Sequence, residues 1–255
     1  MSVLDRFSLS GKRALVTGAS RGLGAAMALA LAEAGADVVC ASTKPGGAAK
    51  TADSIRAVGR EAWTVAGDLA NPAGRDALVT ATDQAAGQID ILVNNGGTIA
   101  RHPAEVYPAA DWDRVVGTNL DAVFFLSQWY GRQMIARGAG KIINVASLLS
   151  FSGGIAVAAY TASKHAVAGV TKALANEWAK HNVQVNAIAP GYFETDNTQA
   201  LRDNPQRFAD ISARIPAARW GSPSDLAGAV VFLASSASQY VNGHLLVVDG
   251  GWMAR

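Results

Sequence analysis

The chain has 255 residues, half of them hydrophobic and only 16% charged. That length allows one large domain or two small ones, and the apolar share excludes a disordered chain. Lys and Arg total 22 against 20 Asp and Glu, a net charge of +2 with no basic block, so a nucleic-acid footprint is not expected.

Residues Met1 to Gly11 carry Asp5 and Arg6 and lack a long apolar core, so they do not read as a signal peptide. Arg13–Thr17 reads as a first strand and Leu23–Ala34 as a small-residue helix behind it. The longest small-apolar run, Ala25 to Ala32, is far too short for a membrane span. Asp37–Ala41 is the second strand. It holds the single cysteine, Cys40, which excludes an intrachain disulfide and a metal cluster and fits a reducing cytoplasm. A helix over Ala48–Val58 leads to a third strand, Ala62–Ala66, and a helix over Arg75–Ala86 to a fourth, Asp90–Val93. One long helix is expected from about Asp111 to Arg137, then a fifth strand, Lys141–Val145. Ala158–Lys180 is a long helix, Val183–Ile188 a sixth strand, Ser224–Ala234 a helix and Leu245–Val248 the last strand.

The strands are short, continuous and β-branched, as parallel strands are when helices cover both faces. The alternation predicts an α/β fold: one open, doubly wound, parallel seven-stranded sheet built from right-handed βαβ units. Such sheets bind ligands beyond the carboxyl ends of their strands.

The candidate functional residues fall just there. Thr17–Gly24 (TGASRGLG) follows the first strand and opens a helix, so Gly18, Ser20, Arg21, Gly22, Leu23 and Gly24 form a candidate pyrophosphate cradle. The spacing is Gly-x-x-x-Gly-x-Gly rather than Gly-x-Gly-x-x-Gly. The second strand ends in Ser42-Thr43-Lys44, without the carboxylate that an NAD site usually places there. Arg21 and Lys44 facing a 2′-phosphate favour NADP(H) over NAD(H); as solvated surface cations, they would leave NAD bound through Ser42. Ser147 follows the fifth strand, and Tyr160 and Lys164 stand at i and i+4 of a helix, on one face. A phenol has an ordinary pKa near 10, and a neighbouring ammonium lowers it. The pair suits a general acid/base for carbonyl/alcohol interconversion, with Ser147 bonded to the substrate oxygen.

Together with Asp68-Leu69, Asn94-Asn95-Gly96-Gly97, Asn119 and Pro190-Gly191, these motifs resemble the short-chain dehydrogenase/reductase family along essentially the whole chain. The resemblance implies a single-domain Rossmann fold over residues 1–255 and a catalytic tetrad of Asn119, Ser147, Tyr160 and Lys164. It also implies Lys164 on the nicotinamide ribose, and Asn119 on a water linking Lys164 to solvent, which needs a break in the Asn119 helix. Asp68 and Leu69 would sit at the adenine, Asn95, Gly96 and Gly97 near the adenosine ribose. Pro190, Gly191, Phe193 and Thr195 would line the carboxamide pocket. Gly96 departs from the family pattern, which has Ala there.

The runs SLLSFSGG, NEWAKHN and RWG-x-PSDL are similar to the 2-keto-3-deoxy-gluconate dehydrogenase subgroup, also labelled 2-deoxy-gluconate 3-dehydrogenase. This implies a small sugar acid as substrate. Arg101 is the candidate for its carboxylate, beside Ser147, Tyr160 and Tyr192. Arg202, Arg207, Arg214 and Arg219, in a region that forms a mobile lid in this family, serve either the substrate or a solvated helical face. A 3-oxoacyl-thioester reductase is the alternative, on the TGASRGLG loop and Ser42-Thr43. A catalytically dead cofactor sensor is disfavoured because Tyr160 and Lys164 are both present. No metal is expected. The low charge, the long helices and the apolar ending Leu245–Trp252 point to a homotetramer.

Overall fold

A computed structural model of the protein describes residues 2–255. Its centre is a seven-stranded sheet in the order β3-β2-β1-β4-β5-β6-β7. The strands are β1 (Arg13–Val16), β2 (Asp37–Ser42), β3 (Ala62–Ala66), β4 (Ile91–Asn94), β5 (Gly140–Val145), β6 (Val183–Pro190) and β7 (Leu245–Val248). All neighbours are parallel. The chain steps outward from β1 to β3, then restarts on the other side at β4, so a crevice opens at the carboxyl ends of β1 and β4.

Period-two alternation sends neighbouring strand residues to opposite faces. Ala14, Val16, Val38, Cys40, Ile91 and Val93 join one apolar layer, with Met27, Leu31, Ile55, Val230 and Leu233 from the covering helices. Leu15, Val39, Leu92, Ile142 and Val185 join the other, with Leu78, Leu126, Tyr130, Met134 and Leu174. Both faces are buried, which is why the strands read as unbroken apolar runs and why few charges are needed.

The first layer is covered by α1 (Gly22–Glu33), α2 (Ala49–Ala57) and α9 (Ala227–Ala234). The second is covered by α3 (Pro72–Ala86), α5 (Ala122–Arg137) and α6 (Ala158–Trp178). Helix α3 begins three residues before its expected start, because Asn71 caps it by accepting from the Gly74 N–H at 2.8 Å and Pro72 fits its first turn.

The long helix expected from Asp111 to Arg137 is not continuous. It forms α4 (Ala109–Val116), a π-helical turn (Gly117–Asp121) and α5. Two distant contacts impose the interruption. Gly117 lies so close to the Ala70 carbonyl that a Cβ would sit 2.5 Å from its oxygen. Arg75 Nη1 donates to the carbonyls of Leu69 at 3.0 Å and Gly117 at 3.5 Å. The expected Ser224–Ala234 helix likewise splits into a 3-10 turn, Pro223–Leu226, and α9. After β6 lie a 3-10 turn (Asp196–Thr198), α7 (Gln199–Arg202) and α8 (Pro205–Arg214), the segment where the family resemblance implies a lid. Among the described residues no helix is long and apolar enough to cross a membrane, and no group of three or more His, Cys, Asp and Glu is placed to hold a metal.

Lys141, at the opposite end of the sheet from the crevice, is buried, with Nζ donating to Ser238 Oγ at 3.3 Å. Burial without an anionic partner pushes its ammonium down to about 8 from the ordinary 10.5. The folded value lies below that of the unfolded chain, so the cost is full below about pH 8 and fades toward 10.5. Lys141→Met is therefore expected to stabilise the protein by about 1–3 kcal/mol near neutral pH, less at about pH 10. Urea titrations at the two pH values check this; a loss of stability at neutral pH contradicts it.

Candidate active site

The loop after β1 is knitted to the loop after β4. Thr17 Oγ1 accepts from the N–H groups of Asn95 at 3.0 Å and Gly96 at 2.8 Å. Asn95 Nδ2 donates back to the carbonyls of Thr17 at 2.9 Å and Gly18 at 3.2 Å. Gly18 takes φ +64° and approaches Gly96 so closely that a Cβ would lie 2.9 Å from its Cα. Asn95 thus shapes the crevice through the loops it ties. Gly24 lies against the Gly18 carbonyl, where any side chain would collide.

The N-terminus of α1 has no side-chain cap, so its first amides are left for another acceptor. At Gly22 a Cβ would fill the gap toward Thr195 Cγ2, 3.6 Å away. An uncapped helix start beside a gap that a side chain would occupy fits a diphosphate. Leu23 itself packs against the apolar layer under α1. Ser20 lines the loop, half-buried.

At the end of β2, Ser42 is buried and donates to the Lys44 carbonyl at 2.9 Å, while Thr43 and Lys44 are exposed. Asp68 is exposed, accepting from the Ala70 N–H at 3.0 Å and Asn71 Nδ2 at 3.1 Å. Gly96 has a packing reason: a Cβ there would lie 2.5 Å from Leu69 Cδ1, so the missing methyl makes room for Leu69.

Beyond β5, the Ser147 hydroxyl accepts from the Leu149 N–H at 3.1 Å and lies on the side of the Tyr160 phenol, whose pKa it lowers. Tyr160 lies in the first turn of α6 and Lys164 one turn later. Lys164 Nζ donates to the Val145 carbonyl at 2.5 Å and stands 5.6 Å from the centre of the Tyr160 ring. Burial pushes the phenol above its ordinary value; the Ser147 hydrogen bond and the Arg101 charge oppose it. Lys164 is itself pushed down to about 8 by burial. Arg101 is therefore a second cation whose charge acts on the phenol, beside the Lys164 that the i, i+4 spacing names.

Asn119 sits in the π-helical turn, so its helix does carry a break. Its Oδ1 accepts from the Thr98 N–H at 2.8 Å, and Nδ2 donates to the Thr98 carbonyl at 2.9 Å and Ser163 Oγ at 3.2 Å. The side chain thus ties the β4 loop to α6. Gly97 lies beside it; a Cβ there would be 3.4 Å from Asn119 Oδ1.

A family model for short chain dehydrogenases matches residues 12–206. The chain belongs to the short-chain dehydrogenase family. It is an NAD(P)-dependent oxidoreductase. A 2-dehydro-3-deoxy-D-gluconate 5-dehydrogenase from Escherichia coli K12 is 54% identical over 255 residues, covering 99% of this chain and all of the relative. A crystal structure of a gluconate 5-dehydrogenase from Burkholderia cenocepacia J2315, in complex with NADP and tartrate, has a TM-score of 0.95 and 43% identity, with both chains fully covered. A 3-oxoacyl (acyl-carrier-protein) reductase from Agrobacterium tumefaciens C58 with NADP bound has a TM-score of 0.92 and 31% identity, over 98% of this chain and 97% of that one.

This short-chain dehydrogenase brings one further cation to the Tyr160 side of the crevice. Arg101 Nη2 donates to the Asn197 carbonyl of the lid segment at 3.2 Å. The next residue, His102, donates its N–H to Ala156 at 2.9 Å and pairs through Nε2 with Asp111 at 2.7 Å, which fixes the β4 loop. The other arginines flagged in the lid region are mostly spent on scaffold. Arg219 pairs with Asp225 at 2.6 Å, Arg214 lies 4.1 Å from the centre of the Trp252 ring, and Arg202 donates to the Thr195 carbonyl at 3.3 Å. Tyr192 packs between Trp220 and Trp252, at 5.4 and 4.6 Å between ring centres. Phe193 is buried, with its ring in the apolar layer. Pro190 ends β6, and Gly191 lies so close to Asp249 that a Cβ would be 2.7 Å from its Cα.

Sequence reasoning missed Thr98, Ser163 and the Val145 carbonyl as partners of the tetrad. It also missed Asp196, which pairs with Arg21 at 2.6 Å. A buried amide such as Asn119 must be satisfied, which announces partners without naming them.

Proposed function

We propose that this enzyme transfers a hydride between NADP(H) and a carbonyl or secondary alcohol of a small sugar acid, such as 2-keto-3-deoxy-gluconate or a uronate-derived keto-sugar. The observation that carries the reading is Arg101, which reaches from the β4 loop to the Asn197 carbonyl and whose charge lowers the pKa of the Tyr160 phenol, a cation for a carboxylate on the side of the group that moves the proton. The relatives named for gluconate derivatives support it. The start of α1 and the Gly22 gap would hold the diphosphate, and Arg21 and Lys44 the 2′-phosphate. The neighbours with NADP bound, and a β2 end without a carboxylate, support NADP(H).

The bound nicotinamide supplies or accepts the hydride. Tyr160 hands its phenolic proton to the substrate oxygen in reduction and takes it back in oxidation. Its raised pKa keeps it protonated at neutral pH, as a donor requires. Ser147 holds the same oxygen as charge develops. Lys164 supplies positive charge one helical turn away. Asn119 fixes the β4 loop, and with it Arg101, against α6. No metal is part of this chemistry.

Residues 1–255 act as one catalytic domain in the cytoplasm. Exposed Trp112, Phe125 and Trp129 on α4 and α5, and the open edge of β7, support a homotetramer. NADPH oxidation followed at 340 nm with keto-sugar acids, simple keto acids and acetoacetyl thioesters tests the reading. The sugar acids are expected to give the highest kcat/KM, with NADPH preferred over NADH. Faster turnover of the thioesters would instead establish the 3-oxoacyl reductase.

A further inference from the structure

Two arginines from opposite banks of the crevice reach consecutive residues of the lid. Arg21, from the loop after β1, pairs through Nε with Asp196 Oδ2 at 2.6 Å. Arg101, from the loop after β4, donates to the Asn197 carbonyl at 3.2 Å. Otherwise this turn is tied mainly to its own neighbours: Thr195 and Thr198 form a reciprocal capping box, and Arg202 reaches the Thr195 carbonyl.

Asp196 lies beside the gap at Gly22, which faces Thr195 Cγ2 at 3.6 Å. Its carboxylate holds the guanidinium that, with Lys44, would face a 2′-phosphate, and so competes with that phosphate for it. A phosphate dianion and a carboxylate seek the same donors, and phosphate brings the greater charge.

We propose that Asp196 is a specificity-determining residue for the cofactor. Its carboxylate occupies Arg21 in the free enzyme, and the 2′-phosphate of NADP(H) displaces it. This rests on the reading of Arg21 as the 2′-phosphate ligand. NAD(H) has no such phosphate and leaves the pair intact. Asp196 thus weakens NADP(H) binding, and displacing it frees one of the two arginine ties on the lid before substrate arrives. A substrate carboxylate on Arg101 frees the second. A ligand shifts such an equilibrium only by its differential affinity for the two states, so the cofactor that breaks the pair is the one that loosens the lid.

Both side chains are more than 70% exposed, so the pair is weak and its effect modest. Titrations of NADPH and NADH, read by quenching of tryptophan fluorescence, test this on the wild type, Asp196→Asn, Asp196→Glu, Arg21→Ala and the Arg21→Ala/Asp196→Asn double variant. Asp196→Asn is expected to tighten NADPH about two- to fivefold and leave NADH unchanged. Asp196→Glu should return the wild-type ratio, and in the Arg21→Ala background the effect of Asp196→Asn should vanish. Equal changes for both cofactors, or an effect that survives without Arg21, would overturn the proposal. A selective loss of NADPH in Arg21→Ala with no response in Asp196→Asn overturns the latch and leaves the cofactor reading standing. No selective loss in Arg21→Ala overturns both.

Discussion

Tyr160→Phe is expected to lower kcat by at least about a thousandfold while the Kd for NADPH stays within about twofold. Phenylalanine keeps the buried ring and removes only the hydroxyl. The group lost is the one whose pKa Ser147 and Arg101 both lower. Steady-state rates beside a cofactor titration check both halves, and undiminished turnover contradicts the mechanism. The pH profile adds a second signature. Lys164, held at about 8, is an ammonium below that pH and neutral above it. Reductive kcat/KM is expected to hold on the acid side and to decline above about pH 8. Stability runs the other way: with its folded value depressed, Lys164 costs stability below about pH 8 and less as the pH rises. A falling rate in a protein that is growing more stable points to chemistry rather than unfolding.

Arg101→Ala is expected to lower kcat/KM for a sugar acid by about ten- to a hundredfold, the scale of one lost charge-assisted hydrogen-bonded contact. Most of the loss belongs in KM, because the carboxylate is held alike in the ground and transition states. A neutral carbonyl substrate should lose much less, and Arg101→Lys should recover part of the difference. Parallel kinetics on an acidic and a neutral substrate measure this. Equal losses on both would show that Arg101 only shapes the loop or tunes Tyr160.

The sheet and the crevice were legible in the sequence because burial on both faces leaves a plain signature: short β-branched runs with glycine, asparagine or serine just beyond. Arg13–Val16 and Gly140–Val145 show that pattern, with TGASRGLG and Ser147 after them. The break at Gly117–Asp121 was not legible from periodicity, because helical sequence lies on both sides and the contacts at the break, Ala70 and Arg75, belong to other elements. Within the site, residue types were readable and partners were not. Lys164 reads as the modifier of Tyr160 by spacing, but its Val145 carbonyl acceptor and the added charge of Arg101 could not be read there. Arg21 reads as a phosphate ligand, and nothing local announces Asp196. Phe193 follows the Pro-Gly turn as a pocket residue would, and its burial in the core layer was not readable there. Gly96 reads only as a departure from the family pattern; in the fold it makes room for Leu69.

The fate of the hydride tests the central proposal most directly. NADPH carrying deuterium at nicotinamide C4 would be consumed by the enzyme with a keto-sugar acid, and the product examined by mass spectrometry and NMR. One deuterium on the new carbinol carbon of the sugar acid is expected from the wild type, and none from Tyr160→Phe in the same time. Label that reaches only a thioester substrate, or a sugar acid returned without deuterium while NADPH is consumed, would contradict it.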